Sequence, residues 1–320
     1  MLDDSADTMQ STPPHRSPFT DPQWTAEGAR RAQVPFTKLR TLWVNTGTLC
    51  NIECATCYIK SSPTNDALTY LRADELANFL HEAKDMGTAE IGFTGGEPFM
   101  NPDMIKMAQM SLELGFSILI LTNAMAPLMR PAVQSAILGL REQYQNRMSI
   151  RVSLDHYTAA RHDLERGKGA FDKAMVGLSW LYQNGFQLAI AGRADASETD
   201  AEARAGYAQM LTSRGITLDT HNPNDLVIFP EMDETATTPE ITEACWGILN
   251  KHPSSVMCAD ARMVVKRKGA ARPVVLACTL VTEDQGFELG HTLHEATQGV
   301  SLNHPHCSRF CVLGGASCSA

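Results

Sequence analysis

The sequence predicts an α/β protein built on a parallel sheet, and three observations carry that prediction. Between residue 38 and about residue 230, short apolar runs alternate with amphipathic stretches of helical period, the pattern of strand-helix-strand units joined by right-handed crossovers. Glycines such as Gly87 and Gly115 stand just past the helical stretches, where a chain leaving a helix needs a residue without a side chain. The chemically unusual residues collect after the apolar runs, at the strand ends where parallel sheets place their ligands. Periodicity by itself leaves a doubly wound sheet and a partial barrel both open.

The elements follow in order. Residues 1 to about 35 are rich in Ser, Thr, Pro, Asp and Gln without apolar period and are expected to form a flexible arm or a loosely docked cover. Leu39 to Asn45 is predicted as the first strand, followed directly by a cysteine-bearing loop. Leu76, Phe79, Leu80 and Ala83 make one stripe of a helix stopped by Gly87, and Glu90 to Thr94 is the second strand. Asp103 to Leu114 is predicted helical, with strand Ser117 to Thr122 after it. Helix Pro131 to Tyr144 leads to strand Met148 to Leu154, helix Phe171 to Asn184 to strand Gln187 to Ala191, and helix Asp200 to Arg214 to strand Leu226 to Pro230. Beyond about residue 235, strands Met263 to Lys268 and Pro273 to Cys278 read as a hairpin about Gly269, followed by a short helix near Thr292 to Thr297 and a Gly- and Cys-rich tail.

At the strand ends stand Cys50 to Cys57, Gly95-Gly96-Glu97-Pro98, Thr122-Asn123, Ser153-Leu154-Asp155, Gly192-Arg193 and Pro230-Glu231. A net charge of −9 leaves no excess of Lys and Arg to neutralise phosphates, so a general nucleic-acid binder is excluded. No apolar stretch approaches the roughly 20 residues that span a bilayer, and the N-terminus lacks the pattern of a secretory signal. A cytoplasmic, membrane-free protein is expected. In that reducing compartment, an odd total of nine cysteines points to metal or redox chemistry ahead of disulfides.

The cysteines fall into two sets, Cys50, Cys54 and Cys57, then Cys245, Cys258, Cys278, Cys307, Cys311 and Cys318. Thiolates spaced as in the first set can all turn onto one site. Three of them leave a four-iron cluster one ligand short.

Cys50-x3-Cys54-x2-Cys57 followed by Gly95-Gly96-Glu97-Pro98, each after a parallel strand, resembles the radical S-adenosylmethionine (SAM) superfamily over residues 38 to 230. The resemblance implies a partial (β/α)6 TIM-like barrel with a [4Fe-4S] cluster on Cys50, Cys54 and Cys57. The methionyl amine and carboxylate of SAM would take the open iron. It further implies that Gly95 and Gly96 let the backbone approach the methionyl amine, that Glu97 helps hold that cation, and that Asn123, Ser153 and Arg193 contact ribose or methionyl carboxylate. An electron passed into SAM would release methionine and a 5′-deoxyadenosyl radical that takes hydrogen from the substrate. The sequence departs from the family at Thr56, where an aromatic residue commonly packs near the adenine; Tyr58 is the candidate replacement. Asp155 and His156 are the candidate catalytic residues, against the plainer reading of a hydrogen-bonded structural pair. The stretch Arg161-His162-Asp163 to Arg166-Gly167, with Gly169 and Phe171, is similar to a loop of members carrying additional clusters; structurally it reads as a helix entry with solvated charges.

Cys258, a hairpin, Cys278 and then Cys307-x3-Cys311 resemble the shortened SPASM module called twitch. That implies an auxiliary [4Fe-4S] cluster on these four, with Cys245 or Cys318 as stand-in ligands and a zinc knuckle as the competing reading. The resulting division is an N-terminal arm at 1–35, a radical SAM core at 36–234 and a small α+β auxiliary-cluster domain at 235–320. The basic run Arg262, Lys266, Arg267, Lys268 and Arg272 on the hairpin is a candidate dock for an acidic flavodoxin or ferredoxin, against a solvated face. The expected activity is hydrogen abstraction from a peptide side chain or a small molecule. The polar first 35 residues, too short for a leader-binding domain, favour a small molecule or a partner-presented peptide. The alternative is a non-catalytic zinc or iron-sulfur protein, which leaves Gly95 to Pro98 unexplained.

Overall fold

A computed structural model describes residues 17–231 and 237–317; Cys318 lies outside them. In chain order the elements are β1 (Gln33–Val34), β2 (Thr41–Asn45), α1 (Ala73–Asp85), β3 (Glu90–Thr94), α2 (Met104–Glu113), β4 (Ser117–Thr122), α3 (Pro131–Tyr144), β5 (Met148–Ser153), α4 (Ala159–Arg166), α5 (Ala170–Gln183), β6 (Gln187–Arg193), α6 (Asp200–Thr212), β7 (Leu226–Phe229), α7 (Ala244–Ile248), β8 (Ala261–Val265), β9 (Val274–Leu276), β10 (Glu288–Gly290) and β11 (Val300–Ser301).

Strands β2 to β7 pair in parallel, each with the next, so every loop that leaves a strand's C-terminal end opens on one side of the sheet. This is the α/β fold with the parallel sheet of a partial barrel. The C-terminal segment does not build a sheet of its own. Strand β8 joins the free edge of β2 in parallel, with Met263 opposite Trp43, and β9 and β10 extend it antiparallel to give nine strands in the order β10-β9-β8-β2-β3-β4-β5-β6-β7. Hydrogen bonding thus runs across the division expected near residue 235.

Alternation along the strands separates two cores. Leu42, Val44, Ile91 and Phe93 pack with Leu76, Phe79 and Leu80 of α1. Trp43 and Leu119 face the other way, into a core shared with Met263, Val265, Leu276, Cys258, Cys278 and Cys307. Gly92 opposite Trp43 is required there, because a Cβ would stand 2.5 Å from the indole.

Several expectations change. Of the N-terminal stretch, residues 1–16 lie outside the described residues, and 17–35 take the docked alternative: β1 pairs with β11, and the Arg31 guanidinium is fully buried. It donates to the carbonyls of Asp21, Trp24 and Leu302 and to the Glu240 carboxylate. That carboxylate also accepts from the backbone N–H groups of Phe19 and Ala26. One buried ion pair, invisible to composition, converts a polar segment into part of the C-terminal core. Arg31→Met leaves Glu240 without its cation and is expected to cost about 3 to 5 kcal/mol, measured as a fall in Tm on the order of 10 °C.

The stretch near 292–297 contains only a 3-10 turn, Glu295–Thr297. The tail holds a π-helical turn, Cys307–Leu313, where a loop was expected. The stretch predicted as a helix entry is α4, whose C-terminal end reaches the cysteine loop.

Candidate functional site

The cysteine loop leaves β2 at Asn45 and lies against the loop that leaves β3. Thr46 N–H donates to Thr94 O at 2.8 Å, Gly96 N–H to Gly47 O at 2.8 Å, and Glu97 N–H to Leu49 O at 3.2 Å. This contact is what the two glycines serve. A Cβ on Gly96 would sit 2.1 Å from Leu49 O, and one on Gly95, whose φ is +135°, 2.6 Å from Gly47 O. Sequence reasoning assigned their small size to close approach by a ligand. In the structure the close approach is made first by backbone, which brings the two motifs together.

One open cleft at the C-terminal ends of β2 to β6 is lined by Cys50, Cys54, Cys57, Tyr58, Gly95, Gly96, Asn123, Ser153, Arg166 and Arg193. Every residue expected to hold SAM is on that wall except Glu97. Glu97 lies beneath it, 1 % exposed, and accepts from Thr122 Oγ1 and the Asn123 N–H at 2.9 Å each and from the Phe99 N–H at 3.3 Å. Its carboxylate braces the β3 and β4 loops and thereby aims Asn123, whose Nδ2 lies 2.9 Å from Asn51 Oδ1 and 3.8 Å from Cys50 Sγ.

The loop's far side is gripped by the end of α4. Ala55 N–H donates to Glu165 O at 2.8 Å, and Thr56 Oγ1 donates to Glu165 Oε2 at 2.6 Å. Arg193 Nη1 donates to Thr56 Oγ1. Thr56 is therefore a tether where relatives place an aromatic ring, and Tyr58 supplies the ring on the cleft wall. Arg166 donates to Asp155 through Nε at 2.6 Å and Nη2 at 3.1 Å. Burial works to raise the Asp155 pKa, but Arg166 and then Arg193 overcome it and hold the group below the usual carboxylate range. Asp155 is thus an ionised anchor for two guanidinium groups and not a proton donor. His156 is also occupied: Nε2 lies 3.2 Å from Glu198 Oε1 and Nδ1 accepts from the Thr158 N–H at 2.9 Å. Both candidates thus have partners within the chain, Asp155 on Arg166 and His156 on Glu198 and Thr158.

Arg166, whose role the sequence did not disclose, is the charge that acts most strongly on the Cys54 thiol. Burial raises the Cys50 thiol to about 12, with further upward push from Glu97, Cys54 and Cys57. Cys54 is raised by burial and partly relieved by Arg166. Cys50 is buried and Cys54 and Cys57 are half-buried on one cleft wall, where the cationic core of an iron-sulfur cluster would offset the like charges of three thiolates, so the donor set fits.

Cys258, Cys278 and Cys307 are buried in the second core, with Cys245 and Cys311 partly buried against it. Burial lifts Cys258 to about 12 and the Cys307 thiol well above its usual value; Cys278 pushes Cys258 further up, and Cys278 and Cys258 do the same to Cys307. Cys245 Sγ stands 3.4 Å from the Thr242 amide and hydroxyl. Among the described residues, no three His, Cys, Asp or Glu side chains approach closely enough to hold a single metal ion.

The hairpin's basic run is not a free docking face. Arg262 is buried and donates to the carbonyls of Cys258, Ala261, Ala296 and Gln298. Lys266 pairs with Glu75, Arg267 with Glu288 and Lys268 with Asp66. Four of the five cations are thus paired within the chain, and Arg272, the fifth, is exposed.

His162, in α4, is fully buried edge-on to Phe171, with neither ring nitrogen hydrogen-bonded among the described residues. Burial depresses its pKa to about 4. A folded-state value below the unfolded one gives stability that is present above about pH 6.5 and lost as pH falls through 4. Burial raises Glu97 to about 7, so its contribution has the opposite sign, present below about pH 4.5 and lost as pH rises through 7. The two offset each other in wild type, so the His162 contribution is read by difference. His162→Phe is expected to gain on wild type by on the order of 3 kcal/mol between pH 6.5 and 4, measured by urea unfolding at each pH.

Residues 44–192, the greater part of the parallel-sheet core, match the model of the Radical SAM superfamily. The chain is similar to the AdoMet-dependent heme synthase of Methanosarcina barkeri, 30% identical over 142 residues, 44% of this chain and 38% of that protein. It is also similar to the antilisterial bacteriocin subtilosin biosynthesis protein AlbA of Bacillus subtilis, 29% identical over 143 residues, 44% of this chain and 30% of that protein. The chain thus matches about a third of the length of these curated relatives. Its fold resembles that of anSMEcpe with bound AdoMet, at a TM-score of 0.57 and 15% identity over 80% of this chain and 79% of that one. It likewise resembles Streptococcus suis SuiB bound to S-adenosylmethionine, at a TM-score of 0.57 and 13% identity over 79% of this chain and 63% of that one. Among the described residues no helix is long and apolar enough to cross a membrane.

Proposed function

We propose that this protein reductively cleaves SAM and uses the product to take hydrogen from a peptide side chain or a small molecule. The observation that carries the reading is the meeting of Cys50, Cys54 and Cys57 with Gly95, Gly96, Asn123, Ser153 and Arg193 around one cleft. In this reading the three thiols hold a [4Fe-4S] cluster, and the Gly95–Gly96 backbone, Asn123, Ser153, Arg193 and Tyr58 hold SAM. Bound there, cluster and cofactor supply a one-electron cleavage that yields a 5′-deoxyadenosyl radical. The protein's own contributions are positional. Glu97 fixes the Asn123 loop, Glu165 and Arg193 fix the cysteine loop through Thr56, and Ile52, Ile59 and Leu121 give the cleft apolar walls that limit water.

Cys258, Cys278, Cys307 and Cys311 hold an auxiliary [4Fe-4S] cluster in the same reading, with the buried Arg262 guanidinium offsetting thiolate charge at Cys258. The relatives named for heme synthesis and for bacteriocin biosynthesis support both substrate classes. Electrons come from a flavodoxin or ferredoxin, docking elsewhere than on the internally paired hairpin, in the cytoplasm. The test is anaerobic reconstitution with iron and sulfide, metal and sulfide analysis, then reduction with dithionite in the presence of SAM. Formation of 5′-deoxyadenosine supports the reading; zinc as the sole metal, or iron without SAM cleavage, overturns it.

A further inference from the structure

Next to the thiol cleft lies a second, more enclosed cavity that nothing above uses. Its walls are Leu121 of β4, Ala191 of β6, Phe229 at the end of β7, and Leu280 and Phe310 from the C-terminal segment. It opens onto the cleft along Tyr58, Leu121, Ser153, Arg166 and Arg193, which border both spaces. A group lodged there would stand beside the proposed cofactor site, roofed by residues that flank Cys278, Cys307 and Cys311.

The chemistry of the walls limits what can lodge. Phe229 and Phe310 stand with ring centroids 5.3 Å apart and planes tilted by 35°, forming a flat apolar side. Leu121 and Phe229 remain half-buried inside an otherwise closed sheet face, so apolar surface is left for an occupant to cover. At the border two guanidinium groups, Arg166 and Arg193, face one carboxylate, Asp155. Asp155 is engaged at both oxygens by Arg166, and Arg193 donates to Thr56 while standing 3.9 Å from Asp155 Oδ1. A cation entering the slot would meet a carboxylate already neutralised. A carboxylate would have to break the buried Arg166–Asp155 pair, or compete for Arg193 with the cofactor that this residue holds in the function proposed above, and either ion would lose its hydration.

We propose that this slot binds a neutral, apolar side-chain-sized group of the substrate, aliphatic or aromatic, and presents it to the thiol cleft. The proposal rests on the function proposed above for its place in a reaction, but not for the binding itself. It is tested on the full chain, anaerobically reconstituted and saturated with S-adenosylhomocysteine so that the cofactor's own space is filled. The probes are benzyl alcohol, benzylamine and benzoate, which share one ring and differ in charge. At about 10 mM, benzyl alcohol is expected to raise Tm by on the order of 2 °C, and the two charged probes to leave it unchanged. Ala191→Leu and Leu280→Phe, which fill the slot from β6 and from the C-terminal segment, are each expected to abolish the benzyl alcohol shift; if one fails to fold, the other reads the same quantity.

A larger shift with either charged probe, an unchanged benzyl alcohol shift in the filled variants, or no shift with any probe overturns the proposal. So does a benzyl alcohol shift that disappears when S-adenosylhomocysteine is added, because the slot would then belong to the cofactor. SAM cleavage measured on the same preparation separates the two readings: neutral-probe selectivity without 5′-deoxyadenosine counts against the proposed function alone.

Discussion

Cys54→Ser is expected to reduce 5′-deoxyadenosine formation to the level of a protein-free control while keeping the chain folded. Cys54 is the middle thiol of the three on the cleft wall, and its loop does not depend on that sulfur for its shape. The loop is held by the Ala55 amide on Glu165 O, by the Thr56 hydroxyl on Glu165 and by Arg193 on Thr56. A serine oxygen replaces the sulfur with little change of volume but binds iron poorly, so the loss is of a ligand and not of a fold. The second thiol set lies in a different core, so iron is expected to fall from about eight to about four per chain if both sites carry four-iron clusters. Circular dichroism should match wild type. Full cleavage by Cys54→Ser would remove the first cysteine set from the mechanism.

Gly96→Ala is expected to have the largest effect of any single methyl group added to this chain's functional loops. The new Cβ would meet Leu49 O at 2.1 Å, Leu49 C at 2.6 Å and Thr48 O at 2.8 Å, all backbone atoms that no rotamer change can move. Relief requires the β2 and β3 loops to part, which breaks the Gly96 to Gly47 and Glu97 to Leu49 hydrogen bonds. Overpacking with loss of those bonds is expected to cost about 3 kcal/mol or more, a fall in Tm on the order of 10 °C, together with loss of SAM cleavage. Gly139→Ala is the control of opposite sign. Gly139 lies within α3 with open space around it, and the change is expected to stabilise by about 0.5 to 1 kcal/mol.

The parallel core was legible because its signals are local. Apolar runs such as Ser117 to Thr122 and stops such as Gly115 declare strand and helix within a few residues, and the two motifs fall after strands where the topology puts them on one side. What stayed hidden depends on partners distant in sequence. Arg31 and Glu240 are 209 positions apart, so nothing near residue 31 marks it as buried. Arg262 reads as one of five surface cations until its four carbonyl acceptors are known, and Lys266 until Glu75 is found beside it. Gly95 and Gly96 were singled out for their size, but the neighbours that demand it, Gly47 and Leu49, belong to the preceding strand's loop. Asp155 and His156 stand out in the sequence as strand-end residues, but their partners Arg166 and Glu198, 11 and 42 positions on, have no signal there. The parallel pairing of β8 on β2 had no local signal, since either edge of the sheet was equally open to a hairpin.

The central claim, that Cys50, Cys54 and Cys57 hold an iron-sulfur cluster in the cleft that also takes SAM, is tested most directly by electron paramagnetic resonance of the dithionite-reduced, reconstituted full chain recorded with and without SAM. The expected result is a reduced-cluster signal whose shape changes on addition of SAM, and whose SAM-sensitive part is absent from Cys54→Ser while the remainder persists. A signal that SAM leaves unchanged in the wild-type protein, or one that Cys54→Ser leaves intact, contradicts the account.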